Sequence, residues 1–322
     1  MRYVVFGAGA VGGVIGGRLH AAGVPVVLVA RGAHLDVLQR DGLRLETPEG
    51  TEALDVPVVG SVAEAHLRPD DVVLLAMKSQ DTDAALDQLE AVAPPEVAVV
   101  CAQNGVDNEP RALRRFRHVQ AMCVILPAAY TVPGVVHQFS APLAGVLDVG
   151  RYPRGVDERT EQLAADMHRA SFGSVADPLV MRAKYRKLLM NLGNALDALC
   201  GWEARGTDLY ARAMAEGTAC FEAAGIDVQT AEEEAARREG VRLLEAGGVT
   251  HPGSSTWQSL ARGTGSVETD HLNGEIVLLG RLHGVPTPVN EALQRTMAAA
   301  VRDGRPAASW SVAEIEALAA SL

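Results

Sequence analysis

Short apolar runs alternating with helical periodicity fill the first half of the chain. The runs at residues 2–6, 25–30, 71–77, 97–102 and 119–126 are almost wholly apolar. Strands buried on both faces of a parallel sheet have that character, and the amphipathic stretches between them suit the crossover helices such a sheet requires. Residues 43–46 and 53–58 alternate apolar and polar positions on either side of Pro48-Glu49-Gly50, which predicts an inserted hairpin. A second irregular β stretch covers 135–149, and a helix of about 15 residues begins at Asp157. Beyond Asp177-Pro178 the strand signals stop. Apolar positions then recur at helical spacing over 180–199, 208–224, 230–245, 268–283 and 288–302. The pattern predicts an α/β domain over 1–178 and an all-α domain over 179–322. No repeat, low-complexity tract or flexible linker separates them, so the domains are expected to pack closely with the active site between them.

The first strand runs straight into a glycine motif, Gly7-Ala8-Gly9-Ala10-Val11-Gly12, and a helix follows. Gly7 suits a tight turn, Gly9 lets backbone approach a pyrophosphate, and Gly12 lets the helix pack close to its strand. The helix N-terminus favours the anion. A glycine triplet alone is a weak signal, but placed between strand and helix it predicts a Rossmann-type dinucleotide-binding domain.

The tip of the second strand tells which dinucleotide. A carboxylate there would take the ribose hydroxyls of NADH; this strand ends instead in Ala30-Arg31-Gly32. Arg31 can bind a 2'-phosphate bidentately, so NADPH is the expected cofactor. Two further strand tips carry Lys78 and Gln103-Asn104-Gly105. Lys78 would add charge near the cofactor, and Asn104 would hydrogen-bond the nicotinamide ribose or position substrate. A simple Asn-Gly turn explains Asn104-Gly105 equally well.

In the helical half, Lys187, Asn191 and Asn194 share one face of the 180–199 helix amid apolar neighbours. That stripe suits a catalytic lysine with amide partners; it also suits a lysine reaching to solvent and asparagines bonded to nearby backbone. Ser254 and Ser255 stand at a helix start, as do Glu268 and Asp270 of the next segment, and each fits helix capping or dipole complementation as well as a binding role.

Composition narrows these choices. A chain of 322 residues with 48% hydrophobic content can build two cores. Its net charge of -11, with no local basic run, disfavours nucleic acid and anionic membranes as partners. There is no apolar stretch of membrane-spanning length and no basic leader, so a cytoplasmic protein is expected. Cys101, Cys123, Cys200 and Cys220 have no metal-type or redox spacing, and no metal site is expected. Lysine occurs only at Lys78, Lys184 and Lys187 in an arginine-rich basic set, which singles these three out as places where an amine is wanted.

The ordered set Gly7-Ala8-Gly9-Ala10-Val11-Gly12-Gly13, Arg31-Gly32-Ala33-His34-Leu35, Met77-Lys78, Gln103-Asn104-Gly105, Lys187-Leu188-Leu189-Met190-Asn191, Ser254-Ser255 and Glu268-Thr269-Asp270-His271-Leu272-Asn273-Gly274 resembles the ketopantoate reductase (2-dehydropantoate 2-reductase) family. The resemblance runs to about residue 300. It implies NADPH-dependent reduction of a small 2-oxo acid, ketopantoate to pantoate in pantothenate biosynthesis. It also implies Lys187 as catalytic lysine, Glu268 as active-site carboxylate, and Asn191 and Ser255 on the substrate. Asn104 would lie beside nicotinamide and substrate, with Arg31 and Lys78 toward the cofactor phosphate and Glu268 also near the cofactor. The family's second asparagine is expected eight residues after the lysine, where this chain has Ala195; Asn194 stands one residue early, about 100 degrees around a helix. Ser259 replaces an acidic residue of the family pattern. Same-architecture readings are a dehydrogenase for another keto acid or an imine, or an NADPH-binding sensor without turnover. A monomer and a homodimer both fit the sequence.

Overall fold

The structure is a computed structural model in which residues 1–263 and 266–322 are described. The chain divides into two compact units. One contains Met1–Asn104, Asn108–Met181 and Ala231–His251, and the other Gly105–Asp107, Arg182–Thr230 and Pro252–Leu322.

In the first unit, β1 (Tyr3–Phe6), α1 (Ala10–Ala21), β2 (Val26–Val29) and α2 (Gly32–Asp41) lead into β3 (Leu43–Thr47), β4 (Gly50–Leu54) and β5 (Val58–Val59). Then come β6 (Val72–Leu75), α3 (Thr82–Glu90), β7 (Ala98–Cys101), α4 (Asn108–Leu113) and β8 (His118–Ile125). The run closes with β9 (Ala128–Val132), β10 (Val135–Gln138), β11 (Ser140–Pro142), β12 (Val146–Arg151) and α5 (Glu158–Arg169).

Seven strands form one sheet in the order β12-β8-β7-β6-β1-β2-β5. All neighbours are parallel except β12, which runs antiparallel to β8. The apolar runs are explained by burial on both faces. Tyr3, Val5, Leu28, Leu74 and Val100 join a core with Ile15 and Leu19 of α1 and Leu163 and Met167 of α5. Their alternating neighbours Val4, Val29, Val73, Leu75 and Val99 pack with Leu86 and Leu89 of α3 and Ala112 of α4. Parallel pairing sends the C-terminal ends of β1, β2, β6 and β7 in one direction, which is where open α/β sheets bind ligands.

A second sheet, β4-β3-β10-β9, lies against the other side of α1. A helix enclosed by two sheets needs small residues on two faces, and α1 provides them. A Cβ on Gly16 would stand 2.3 Å from Leu28, and one on Gly13 would stand 2.7 Å from Val136. The expected hairpin forms as β3–β4, one step earlier than the 53–58 alternation suggests; Val58–Val59 instead pair with β2 at the edge of the large sheet.

The second unit takes in most of α6 (Val180–Asn191), then α7 (Gly193–Cys200) and α8 (Asp208–Ala224). The chain next returns to the first unit as α9 (Ala231–Arg238) and β13 (Val241–Leu243). It ends in the second unit with α10 (Ser255–Ala261), α11 (Asn273–His283), α12 (Pro288–Arg302) and α13 (Val312–Ala320). The helix expected over 230–245 is therefore corrected to a short helix and a strand. β13 pairs antiparallel with β11, and Arg237 forks onto Asp148 at 2.8 and 2.7 Å, contacts that hold the segment to the first unit. The single boundary expected near 178 likewise becomes three crossings after that point.

The helix expected over 180–199 breaks at Leu192, whose carbonyl accepts Asn273 Nδ2 at 3.1 Å. Asn273 also donates to Asn290 Oδ1 at 3.0 Å, and Asn290 Nδ2 bonds Ala213 O and Glu216 Oε2 at 3.0 and 2.8 Å. This buried chain of amides ties the break in the first helix to α8, α11 and α12. The segment expected as one helix over 268–283 opens with a 3-10 turn, Glu268–His271, before α11. The final helix α13 is an addition to the expected set, capped by Ser311 and Glu314. Among the described residues no helix is long and apolar enough to cross a membrane.

Candidate active site

The first unit carries a backbone cradle where β1 meets α1. Gly7 has φ +108, and a Cβ there would also meet the Met77 nitrogen at 2.9 Å. Gly12 packs so closely that a Cβ would lie 2.0 Å from Gly7 O and 3.0 Å from Ala76 Cβ. Over Gly9 the position is reversed: a Cβ would find nothing within 4 Å. Bare backbone facing open space at the start of a twelve-residue helix fits a dinucleotide pyrophosphate. Ala8 is buried beneath the loop, and Ala10 and Val11 are half-buried in the first turn of α1.

Arg31 follows the tip of β2 and is the N-cap residue of α2. Its side chain is 90% exposed, with Asp81 at 4.0 Å as a loose ion-pair partner. No carboxylate occupies Ala30, Gly32 or Ala33 beside it. An exposed fork of donors at this strand tip is chemically suited to a phosphate group.

The loops after β6 and β7 are locked by a polar network. Gln103 Nε2 donates to Met77 O at 3.0 Å and to Thr82 Oγ1 at 2.8 Å, and Thr82 donates to Asn108 Oδ1 at 2.8 Å. Asn108 Nδ2 bonds Ser79 Oγ and Asn104 O, both at 3.1 Å. Gln103, Thr82, Asn108 and Ser79 are all buried. They fix the backbone on either side of Lys78 and Asn104, whose side chains are half-buried. Gly105 completes the turn at φ +78, as the simple-turn reading of Asn104-Gly105 requires.

His34 is a further strut. Its Nδ1 accepts the Gly134 N–H at 2.9 Å, so its Nε2 carries the proton and donates to Ala8 O at 2.8 Å. Tyr130 packs edge-on at 4.8 Å. Burial holds the imidazole below its ordinary pKa of 6.5, in keeping with one donor and one acceptor nitrogen. The neutral ring thus ties the glycine loop to the β9–β10 turn.

In the second unit, Lys187 and Asn191 lie half-buried on α6. Asn191 Nδ2 is buried without an acceptor among the described residues. Such a donor costs about 1–3 kcal/mol unless a ligand supplies the acceptor. Asn194 differs: it is 7% exposed, and its Oδ1 accepts Arg205 Nη2 at 2.6 Å. At that oxygen Asn194, expected to meet substrate, has an internal partner.

Ser254 caps α10 by accepting Trp257 N at 3.2 Å, and it donates to Asn194 O at 3.3 Å while Asp197 Oδ2 accepts its N–H at 2.9 Å. Ser255 is the first residue of α10 and half-buried. Ser259 donates back to Ser255 O at 3.0 Å. Glu268 opens its 3-10 turn at 3% exposure, and Asp270 accepts Gln294 Nε2 at 2.9 Å. The buried amides beneath Asn104, the His34 strut and Arg205 were not among the residues singled out by sequence. Gln103 adjoins a candidate and His34 lies in a quoted motif, but Arg205 carries no local signal.

A glycine cradle beside an exposed strand-tip arginine, in a chain whose helical half carries lysine, amide, hydroxyl and carboxylate groups, defines an oxidoreductase dependent on a nicotinamide dinucleotide. Residues 3–153 match the family described as ketopantoate reductase PanE/ApbA, and residues 179–301 match the ketopantoate reductase PanE/ApbA C-terminal family. The chain belongs to the ketopantoate reductase family.

A 2-dehydropantoate 2-reductase of Halobacterium salinarum is 31% identical, with 94% of this chain and 100% of that protein covered. One of Mesorhizobium japonicum is 29% identical, covering 91% and 95%. A PanE/ApbA family ketopantoate reductase from Ralstonia eutropha superposes with a TM-score of 0.77 at 28% identity, over 95% of this chain and 100% of that one. A D-mandelate dehydrogenase with NADH and anilino(oxo)acetate superposes at 0.80 with 20% identity, over 94% and 99%, a likeness of fold alone.

Proposed function

We propose that this enzyme reduces 2-dehydropantoate to pantoate with NADPH, the step that supplies pantoate to pantothenate biosynthesis. The observation that carries the reading is the family match over both halves of the chain, with Lys187, Asn191, Ser255 and Glu268 present at the matching motifs. The preference for NADPH rests on Arg31, whose exposed guanidinium suits a 2'-phosphate where a carboxylate would repel it. Gly7 to Gly12 would hold the pyrophosphate, with Lys78 and Asn104 at the neighbouring strand tips.

When bound, NADPH supplies a hydride to the C2 carbonyl carbon. The Lys187 ammonium hydrogen-bonds the carbonyl oxygen and gives it a proton as negative charge develops, so the product is a neutral alcohol beside the carboxylate. An arginine could stabilise that oxygen but would hold its proton too tightly to donate it. Glu268 keeps Lys187 charged and oriented, while Asn191 and Ser255 fix substrate oxygens so that the carbonyl presents one face.

The test follows NADPH oxidation with purified enzyme and a panel of 2-oxo acids that includes ketopantoate, with NADH in parallel. The reading expects ketopantoate to be the best substrate and NADPH the better donor. A different acid turned over at much higher kcat/KM would move the substrate assignment, and equal rates with NADH would remove the role given to Arg31.

A further inference from the structure

Between α7 and α8 the chain makes a 3-10 turn, Trp202–Gly206, that carries Arg205. Its guanidinium carbon lies 4.9 Å from the Trp202 ring centre and 5.6 Å from that of Tyr210. Nη2 donates to Asn194 Oδ1 at 2.6 Å, a neutral acceptor. The Nε–H is buried and has no acceptor among the described residues, and none of the described Asp or Glu residues forms an ion pair with the group. Trp202 remains 60% exposed, so the aromatic stack opens to solvent.

A cation held in one plane by two rings and an amide, with a desolvated donor left over, lacks only its anion. Such an arrangement is costly as a purely structural feature, because the same arginine on the open surface would satisfy every donor with water. The partner it calls for is planar and anionic, since a guanidinium fixed by stacking pairs best with a carboxylate. A second observation points to an acceptor on the other side of the helix break at Leu192. Asn191, three residues before Asn194, also has a buried side-chain nitrogen without an acceptor among the described residues.

Building on the reaction proposed above, we infer that Arg205 anchors the carboxylate of the 2-oxo acid through its Nε–H. Asn194 then acts as a positioning residue: its Oδ1 holds the guanidinium in place, and it reaches substrate only through Arg205. Ser254, which donates to the Asn194 carbonyl, and Asp197, which accepts the Ser254 N–H, brace the same cluster. Arg205 makes the enzyme choose acids over uncharged 2-oxo compounds.

The experiment compares ketopantoate with ketopantoyl lactone, which keeps the 2-oxo group but has no carboxylate, in wild type, Arg205→Gln, Arg205→Lys and Asn194→Ala. Arg205→Gln should raise KM for ketopantoate about 30-fold, the usual effect of losing a charge-assisted hydrogen bond, with kcat within about threefold and NADPH affinity unchanged. Activity on the lactone should not move, so the acid-over-lactone preference falls by the same factor. Arg205→Lys should restore part of the preference, and Asn194→Ala should lower it less than Arg205→Gln.

Pantoate binding by calorimetry should weaken in parallel. Circular dichroism and melting temperature establish that each variant is folded, and if Arg205→Gln is not, the lysine variant carries the test. An equal loss on acid and lactone, or an unchanged KM for acid, overturns the inference while the reaction itself stands. If wild type prefers another 2-oxo acid and Arg205→Gln raises KM for that acid, the substrate assignment falls and the anchor stands. A wild type that binds no 2-oxo or 2-hydroxy acid overturns both.

Discussion

Around Gly9 the first unit presents bare backbone, whereas the second unit presents side-chain groups on α6, on α7 and in the turn after α7, where the Asn194 amide and the Arg205 guanidinium hold each other. Backbone amides at a helix start recognise what all dinucleotides share, and their geometry is set by a few glycines within one local turn. Side-chain donors recognise one acid, and their geometry depends on contacts from several helices. The Asn273–Asn290–Glu216 chain fixes the break beside Asn191, and Arg205 fixes Asn194. Cofactor binding should therefore respond to changes in local shape, and substrate choice to changes in remote hydrogen bonding.

The sharpest way to break this contrast is Gly12→Val. Its Cβ would lie 2.0 Å from Gly7 O, so the loop and helix must separate. The expected loss is about 3 kcal/mol or more of stability together with NADPH binding, read by denaturant titration and fluorescence titration. Normal binding by a stable variant would show that close packing does not shape the cradle.

Asn273→Ala is the matching change in the second unit. It strands the Leu192 carbonyl and the Asn290 amide oxygen, and should cost about 2–3 kcal/mol. A rise in KM for the oxo acid should accompany it, with NADPH affinity unaltered. A variant that lost cofactor binding first would contradict the division of roles.

Arg31→Ala is smaller, because the side chain is exposed. The NADPH-to-NADH preference in kcat/KM should fall about 10-fold, with NADH kinetics unmoved. A preference that survives would assign the 2'-phosphate to another group.

The smallest effect is expected at His34. Burial favours the neutral ring, so its contribution is complete above pH 6.5 and is lost as the pH falls through the lower folded-state value. Protonation would set two N–H donors against each other at Gly134. His34→Gln keeps a donor for Ala8 and should cost about 1 kcal/mol at pH 7.5, with a shallower loss of melting temperature between pH 7 and 5 than wild type shows. Parallel melting curves would leave the ring with no part in acid destabilisation.

The two regions also differ in how much of them was legible in the amino-acid sequence. Five strands of the large sheet, β1, β2, β6, β7 and β8, and the glycine loop follow from neighbours within about 20 residues, so period and motif suffice. The α/β class and the helical second half were legible for the same reason. β13 was not: Val241-Arg242-Leu243 sits in a helical pattern, and only pairing with Ser140–Pro142, about a hundred residues earlier, makes it a strand. The break at Leu192 depends on Asn273, 81 residues further on. In the candidate site, residue types were legible and their partners were not. The spacing placed Asn194 on the Lys187 face but gave no sign that Arg205 would take its oxygen. The Ser311–Glu314 capping box of α13 was a readable signal that the apolar periodicity alone did not bring out.

The central claim is that Lys187 performs chemistry while the glycine cradle performs binding, and one variant separates them. Lys187→Ala should reduce kcat for the oxo acid about 1,000-fold, as loss of a general acid does, while an NADPH titration of the same protein gives the wild-type dissociation constant. Retention of wild-type turnover, or loss of NADPH binding in step with turnover, would contradict the account.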